Sequence, residues 1–283
     1  MNTRFRILWT SVGVLAVVLL SLAVLSVVGA HRFRSLYAAE KAELFRAGIA
    51  APVFLPDPAR VRKLPEPVRR YLEILSVKRE AAGRMLVLHQ SGVLRSAPDA
   101  AWTPFTAEQA YSVIPPGFVW LARARMAPGI DLWARDKYVD GRGHMLVTLL
   151  GLVTLADATG PDLDRGAALR FLGEIVAFPP GIVAPDVGWR TIDPRHAGLF
   201  IRRGDELWDG IAEFDGRGLL SAFHARRPMD RGGRSEEHAW SGTFSDWREI
   251  DGLFFPGHWE ATWHLPDGDF TSVKIDIRRI ATE

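Results

Sequence analysis

Asp136 occupies a position that its neighbours reserve for apolar side chains. Residues 130–138 alternate along a strand, and Ile130, Leu132, Ala134 and Tyr138 share the side on which Asp136 projects. Leaving a carboxylate unpaired in an apolar interior is costly, so Asp136 must pair, be solvated in a cavity, or lie beyond the edge of the core. Gln90 has the same status, since Leu86, Leu88 and Leu94 share its side of an earlier strand. Apolar walls holding a few polar groups are the usual composition of a ligand pocket. The candidate ligand-binding residues are therefore Gln90 and Asp136, with Trp120 and Tyr138 as walls from the strands around Asp136. The competing reading makes Asp136 a structural ion pair or turn contact. It makes most of the nine tryptophans beyond residue 30 ordinary core, since indoles bury large areas.

Other constellations point away from chemistry. His258, Glu260, Thr262 and His264 project from one side of a strand, but the two imidazoles stand about 20 Å apart at ~3.3 Å per residue. One metal ion does not bridge them, so this reads as a solvated face, as does Glu236-Glu237-His238 after it follows the Gly232-Gly233 loop. There is no G-x-S-x-G elbow, H-E-x-x-H pair, phosphate loop or dinucleotide fingerprint. Neither a metal nor a cofactor is expected. A hydrolase without motifs remains as a third reading; it requires a cleft in which Asp136 or another carboxylate approaches a histidine such as His89 or His144 within hydrogen-bond reach.

The elements that must position these residues are mostly strands. Phe118, Trp120, Ala122, Ala124 and Met126 alternate against Val119, Leu121, Arg123 and Arg125. Pro128-Gly129 and Asp140-Gly141 then punctuate a meander that continues from Met145 to Leu155. Before it, Met85 to Arg95 reads as a strand, and Trp102 to Val113 as a weaker one, because Pro104 suits an edge or an irregular start. After it, strands are expected at 188–192, 199–203, 206–214, 219–226, 239–247, 255–265 and 270–280, with Asp-Gly at 209–210, 215–216, 251–252 and 267–268 as turns. Leu163 to Phe178 is the one clear internal helix, stopped by Pro179-Pro180. Leu64 to Leu75 gathers Leu64, Val68, Tyr71, Leu72 and Leu75 on one helical stripe that opens the folded domain. About ten strands with one or two helices make a mainly β (α+β) protein: a large curved antiparallel sheet, half-barrel in form, under a covering helix.

The N-terminus sets the address. Ile7 to Ala30 holds no charge, and this run exceeds the ~20 residues that cross a bilayer as a helix. Val28-Gly29-Ala30 also reads as a signal-peptidase site, so cleavage is the competing reading. The apolar run is longer than the ~7–15 residues of a signal peptide, and Arg32 and Arg34 follow it, which favours a retained anchor. The expected organisation is a transmembrane anchor at 1–30, a juxtamembrane helix and Pro-rich linker at 31–62 (Pro52, Pro56, Pro58), and an antiparallel β domain at 63–283. Basic residues flank the span on both sides, so the positive-inside rule does not orient it. The two basic residues before residue 31, Arg4 and Arg6, account for the whole formal charge of +2. The rest is balanced and offers no electrostatic case for nucleic acid. The chain has no cysteine, which excludes disulfides, thiolate metal sites and a lipid-modified cysteine.

Three ordered motifs carry a resemblance. Leu64-Pro65-Glu66-Pro67-Val68-Arg69-Arg70-Tyr71-Leu72, then Trp102-x-Pro104-Phe105-x-Ala107-x-Gln109, then Ala134-Arg135-Asp136-x-Tyr138-x-x-Gly141-x-Gly143-x-Met145 resemble the bacterial DUF6544 (DUF6920-like) proteins of unknown function. The likeness spans roughly residues 60–280 and implies no activity. The closing run, from Phe244-Ser245-Asp246-Trp247 through Gly252 and Pro256 to Trp263 and Gly268, is similar in rhythm to the LolA/LolB lipoprotein carriers. Those are half-open antiparallel barrels with a helical lid over an apolar cavity, and the resemblance implies an exported domain; this chain departs from them in having no lipobox cysteine and a membrane span instead. The leading expectation is a membrane-anchored extracytoplasmic binding protein for an apolar or amphipathic, lipid-like ligand, held to the membrane through residues 7–30. A packed sheet that docks on an envelope partner is the alternative.

Overall fold

A computed structural model describes residues 3–51, 58–76, 85–230 and 233–282. Pro52 and Pro56 of the expected linker, and Gly232 of the expected loop, lie outside the described residues. The chain opens with one 48-residue helix, α1 (Thr3–Ala50). The apolar run and the segment expected as a separate juxtamembrane helix form a single rod, about 72 Å long at 1.5 Å per residue. A short α2 (Pro58–Arg62) and α3 (Glu66–Ser76) follow. Val68, Tyr71 and Leu75 of α3 are buried as the stripe predicts, and the Tyr71 hydroxyl donates to the Val176 carbonyl.

Thirteen strands form one antiparallel sheet. The first meander is β1 (Met85–Leu94), β2 (Thr103–Ser112), β3 (Gly117–Ala127), β4 (Ile130–Val139), β5 (Arg142–Leu149) and β6 (Val153–Ala158). The second is β7 (Val187–Thr191), β8 (His196–Arg203), β9 (Glu206–Phe214), β10 (Leu220–Asp230), β11 (Ser235–Ile250), β12 (Leu253–Leu265) and β13 (Gly268–Thr282). Each strand pairs with its sequence neighbour except at one seam, where β1 pairs with β13. The order β6-β5-β4-β3-β2-β1-β13-β12-β11-β10-β9-β8-β7 leaves β6 and β7 at the two edges. A twisted sheet of more than ~10 strands curls. The segment from β6 to β7, carrying α4 (Pro161–Ile175) and α5 (Pro179–Ile182), crosses the hollow of the curl. Helix α4 touches β4 and β5 of one meander and β8, β9 and β10 of the other. The architecture is the expected curved half-barrel with a covering helix.

Several expectations change in detail. The run expected from Met145 to Leu155 divides into β5 and β6, because Leu150 and Gly151 both take positive φ (56° and 70°), the backbone of a two-residue hairpin turn. Of the two places expected for Pro104, an edge or a strand start, β2 takes the second: it is an interior strand with Pro104 at its start, where a missing amide proton costs little. Asp209-Gly210 is not a turn but the middle of β9, where the Phe223 ring and the His224 carbonyl leave no space for a side chain on Gly210. Pro179-Pro180 does more than stop α4, since the two prolines open the single turn of α5 at its first positions.

The two faces of the sheet are covered differently. On the concave side, Phe118, Trp120 and Ala122 of β3 join Phe171 and Leu172 of α4 and Phe223 of β10 in the main core. On the convex side, Phe33, Tyr37, Leu44 and Phe45 of α1 cover Val87, Val119, Leu121 and Trp133. Glu40 of α1 meets Arg135 Nε at 3.3 Å and Lys137 Nζ at 2.7 Å, and Lys41 meets Glu108 at 3.0 Å. Arg135 is only 2% exposed. The rear half of α1 is therefore part of the packed structure.

A cavity under the covering helix

The concave core is incomplete. Between α4 and strands β1, β3, β4, β5 and β10 to β13 lies a cavity of about 260 Å³. Its walls are apolar, with Trp240, Phe244, Trp259 and Trp263 from β11 and β12, Phe223 from β10 and Ile275 from β13. Thr243 and Ser272 contribute hydroxyls, and no histidine is among the lining residues. A wider depression of about 580 Å³ lies on the convex side beneath α1, but Tyr37 and Lys41 there both bind Glu108.

A polar network sits at the head of the concave cavity, and sequence alternation explains how it arrives there. Residues 134, 136 and 138 of β4 face inward, so Asp136 enters the core side at 5% exposure. Helix α4 buries almost its whole circumference and lays Arg170 and Glu174 side by side, one turn apart. Arg170 Nη1 donates to Asp136 Oδ2 at 2.6 Å, Nε to Glu174 Oε1 at 3.0 Å, and Nη2 to Gln109 Oε1 at 3.3 Å. The Tyr111 hydroxyl and Gln109 Nε2 both donate to Glu174 Oε2, at 2.5 and 3.0 Å. Gln90 Nε2 donates to Gln109 Oε1, and Trp120 Nε1 donates to Gln90 Oε1 at 2.9 Å. The Arg170 guanidinium also lies 4.9 and 5.2 Å from the Phe118 and Trp120 ring centres.

Arg227 of β10 completes the group. Its guanidinium carbon lies 4.4 Å from the Trp240 ring centre and 5.5 Å from that of Trp263. Burial pushes its pKa down to about 10, helped by the like charge of Arg170 and opposed by Asp136 and Glu174. Burial also pushes the Asp136 carboxyl above its ordinary range, an effect that the Arg170 guanidinium offsets in part. Arg170 itself is held up: burial works against its charge, but Glu174 and Asp136 outweigh it. Tyr111 is raised by burial first and then by the Glu174 charge.

Of the four residues singled out from sequence, Trp120 and Asp136 line the cavity. Gln90 stands one hydrogen bond behind Trp120. Tyr138 is buried against Phe171, at 5.9 Å between ring centres, and does not border the cavity, because α4 fills the space in front of it. Among the described residues, Asp136 meets no histidine, and none borders the cavity. His144 meets Asp157 and Arg135, and His89 lies nearest Glu108, on the face opposite Asp136. His258 pairs with Asp276 and Glu260, and His264 with Asp269 and Ser241, so the predicted polar face of β12 is a set of surface pairs.

The residues missed were Gln109, Tyr111, Arg170, Glu174 and Arg227. Arg170 and Glu174 had a signal: they are an i,i+4 pair in the stretch Gly166 to Ile175 of α4, which is otherwise wholly apolar. Arg227 had one too, because it continues the inward series Phe223, Ala225 in β10. That strand was expected to end at Arg226, one residue short.

The profile of a family described as a family of unknown function (DUF6544) matches residues 55–275. The chain belongs to the DUF6544 family. The match takes in every strand and helix that lines the cavity, up to Ile275. No curated protein matches the sequence. Among solved structures, a DUF1329 family protein from Desulfovibrio piger shares 12% identity over 81% of this chain and 94% of its own, with a TM-score of 0.42. A LolA superfamily protein from Nitrosomonas europaea shares 11% identity over 77% of this chain and 92% of its own, with a TM-score of 0.40. Both similarities are low, and neither bears on what the DUF6544 cavity holds.

Proposed function

We propose that this DUF6544 protein is a membrane-anchored binding protein that takes an apolar or amphipathic ligand into the cavity under α4. The observation that carries the reading is the cavity itself: aromatic walls around a polar cluster whose hydrogen bonding is incomplete. Asp136 Oδ1 and Arg227 Nε are both buried without a hydrogen-bond partner among the described residues. Natural interiors pair nearly all such atoms, and of the ten without a hydrogen-bond partner among the described residues these two are the ones that belong to cavity-lining residues, which supports a ligand there. The anchor rests on α1, the one helix among the described residues long and apolar enough to cross a membrane by length and composition. Its front half exposes Val12, Leu15, Leu19 and Val27, side chains that suit hydrocarbon.

Native mass spectrometry of the full-length protein in a non-ionic detergent, with organic extraction of what it carries, tests this reading. A co-purifying acyl-chain molecule is expected in the wild type. Gly242→Leu, which grows a side chain from the cavity wall toward Trp240 and Phe244, is expected to lose it while still unfolding cooperatively. A wild-type protein that is empty and binds no hydrophobic fluorophore overturns the reading. The same proposal places the β domain outside the cytoplasm, following the resemblance of the closing strands to lipoprotein carriers. Alkaline phosphatase fused after Glu283 should be active, and a fluorescent protein fused there should be dark.

A further inference from the structure

The empty valences at the cavity are specific in kind. Arg170 is fully engaged, with Asp136, Glu174 and Gln109 as acceptors. Glu174 accepts on both oxygens. Asp136 uses Oδ2 for Arg170 and keeps Oδ1 open. Arg227 is held by the faces of Trp240 and Trp263, which position it without using its donors, and Nε has no acceptor among the described residues. The site therefore lacks one acceptor, opposite Arg227, and one donor, opposite Asp136 Oδ1.

Charge narrows the choice further. Two guanidiniums, Arg170 and Arg227, balance two carboxylates, Asp136 and Glu174, within one buried cluster, and Glu260, the third carboxylate on the wall, is matched by Lys274 at 3.0 Å. A ligand with a net charge upsets that balance, and an unbalanced charge in a desolvated site is expensive. A simple anion satisfies Arg227 but faces Asp136 Oδ1 with no proton to offer. A simple cation satisfies Asp136 and leaves Arg227 open. An alkane satisfies neither.

Resting on the binding-protein reading above, we propose that the cavity selects an amphiphile whose head group sets an oxyanion beside an ammonium N–H donor, without net charge. The oxyanion meets Arg227, the donor meets Asp136 Oδ1, and the hydrocarbon lies along Phe244, Trp259 and Ile275. Arg227 is then the residue that reads the head group, and Trp240 and Trp263 hold it in position. Stacking on two indoles leaves the edge of the guanidinium fork, where its N–H groups point, free for an oxyanion.

The test is a competition on the full-length protein in a non-ionic detergent, read by native mass spectrometry. The probes share one chain length: lysophosphatidylethanolamine, lysophosphatidylcholine, a fatty acid and an alkylamine. Lysophosphatidylethanolamine offers phosphate and ammonium protons together, whereas lysophosphatidylcholine has the same charges but no N–H donor. The first is expected to bind about tenfold or more tightly than each of the others, as one lost charge-assisted hydrogen bond implies. Arg227→Lys, which keeps the charge but loses the fork, should weaken it about tenfold. Asp136→Asn should erase the preference for lysophosphatidylethanolamine over lysophosphatidylcholine. Equal binding of all four probes, or a preference that ignores Arg227, overturns the inference and leaves the binding-protein reading standing. Binding of none, and of no hydrophobic fluorophore, removes the binding-protein reading itself. The wild-type panel decides the matter even if a variant does not fold.

Discussion

Asp136 and Arg227 reach one cavity by the same rule of alternation, yet they stand in different energetic positions. Asp136 is paired with Arg170 at 2.6 Å and depends on it, so truncating either partner leaves a buried charge behind. Asp136→Ala and Arg170→Met are each expected to cost roughly 3–5 kcal/mol in chemical denaturation, and the double variant less than their sum. Additive losses would show that the two charges do not interact. The surface cluster on β12 gives a pH signature instead. Burial opposes the charge on His258, but hydrogen bonds to Asp276 and Glu260 outweigh it and hold its pKa above 6.5. Its contribution is complete below that value and is lost as pH rises through the raised one. Glu260 runs the other way: burial lifts it, but Lys274 and His258 hold it below 4.5, so its contribution is lost as pH falls through the depressed value. The pair should stabilise most between about pH 4.5 and 6.5. The deficit of His258→Gln relative to wild type, under ~1 kcal/mol for a partly exposed pair, should shrink above that window. A deficit independent of pH would mean that the imidazolium is not what stabilises.

Helix α4 does the work that no strand does, because it spans from the β4–β5 side of the curl to the β8–β10 side. Its close approach to the sheet depends on Gly173, where a Cβ would overlap the Phe223 ring. Helix propensity alone favours Gly173→Ala by about 1 kcal/mol. Overpacking against a fully buried aromatic costs about 1–3 kcal/mol, so the packing term wins and a net loss is expected in thermal or urea unfolding. Combining it with Phe223→Leu should cost less than the two separate losses. A stabilised Gly173→Ala would show that α4 rides higher above the sheet. Most element positions were legible in sequence, because period-two runs between Asp-Gly pairs have few other solutions, as at 140–141 and 251–252. The same dipeptide at 209–210 misled, since Gly210 serves the packing of Phe223 rather than a turn. Local pattern does not distinguish those two uses of glycine.

At the scale of the whole molecule, α1 is both candidate anchor and structural cover. Phe33, Tyr37, Leu44 and Phe45 lie over an apolar patch of β1 to β4, and Glu40 neutralises Arg135 beneath. A chain starting at His31 should therefore remain folded and monodisperse, whereas one starting at Val53 should expose Val87, Leu121 and Trp133 and aggregate in size-exclusion chromatography. Equal behaviour of the two would show that the convex patch needs no cover. The sequence by itself determined the apolar span, the antiparallel strands, the covering helix and the anomaly of Asp136, because each is a local pattern of hydrophobicity with a fixed period. Only the tertiary structure decided which groups Asp136 would meet. Its neighbours Arg170 and Arg227 lie 34 and 91 positions away along the chain. They converge because β1 pairs with β13, the sheet curls, and the segment joining its two edges must cross the hollow. No periodicity encodes that closure, and so the cavity, with its one missing donor and one missing acceptor, belongs to the fold.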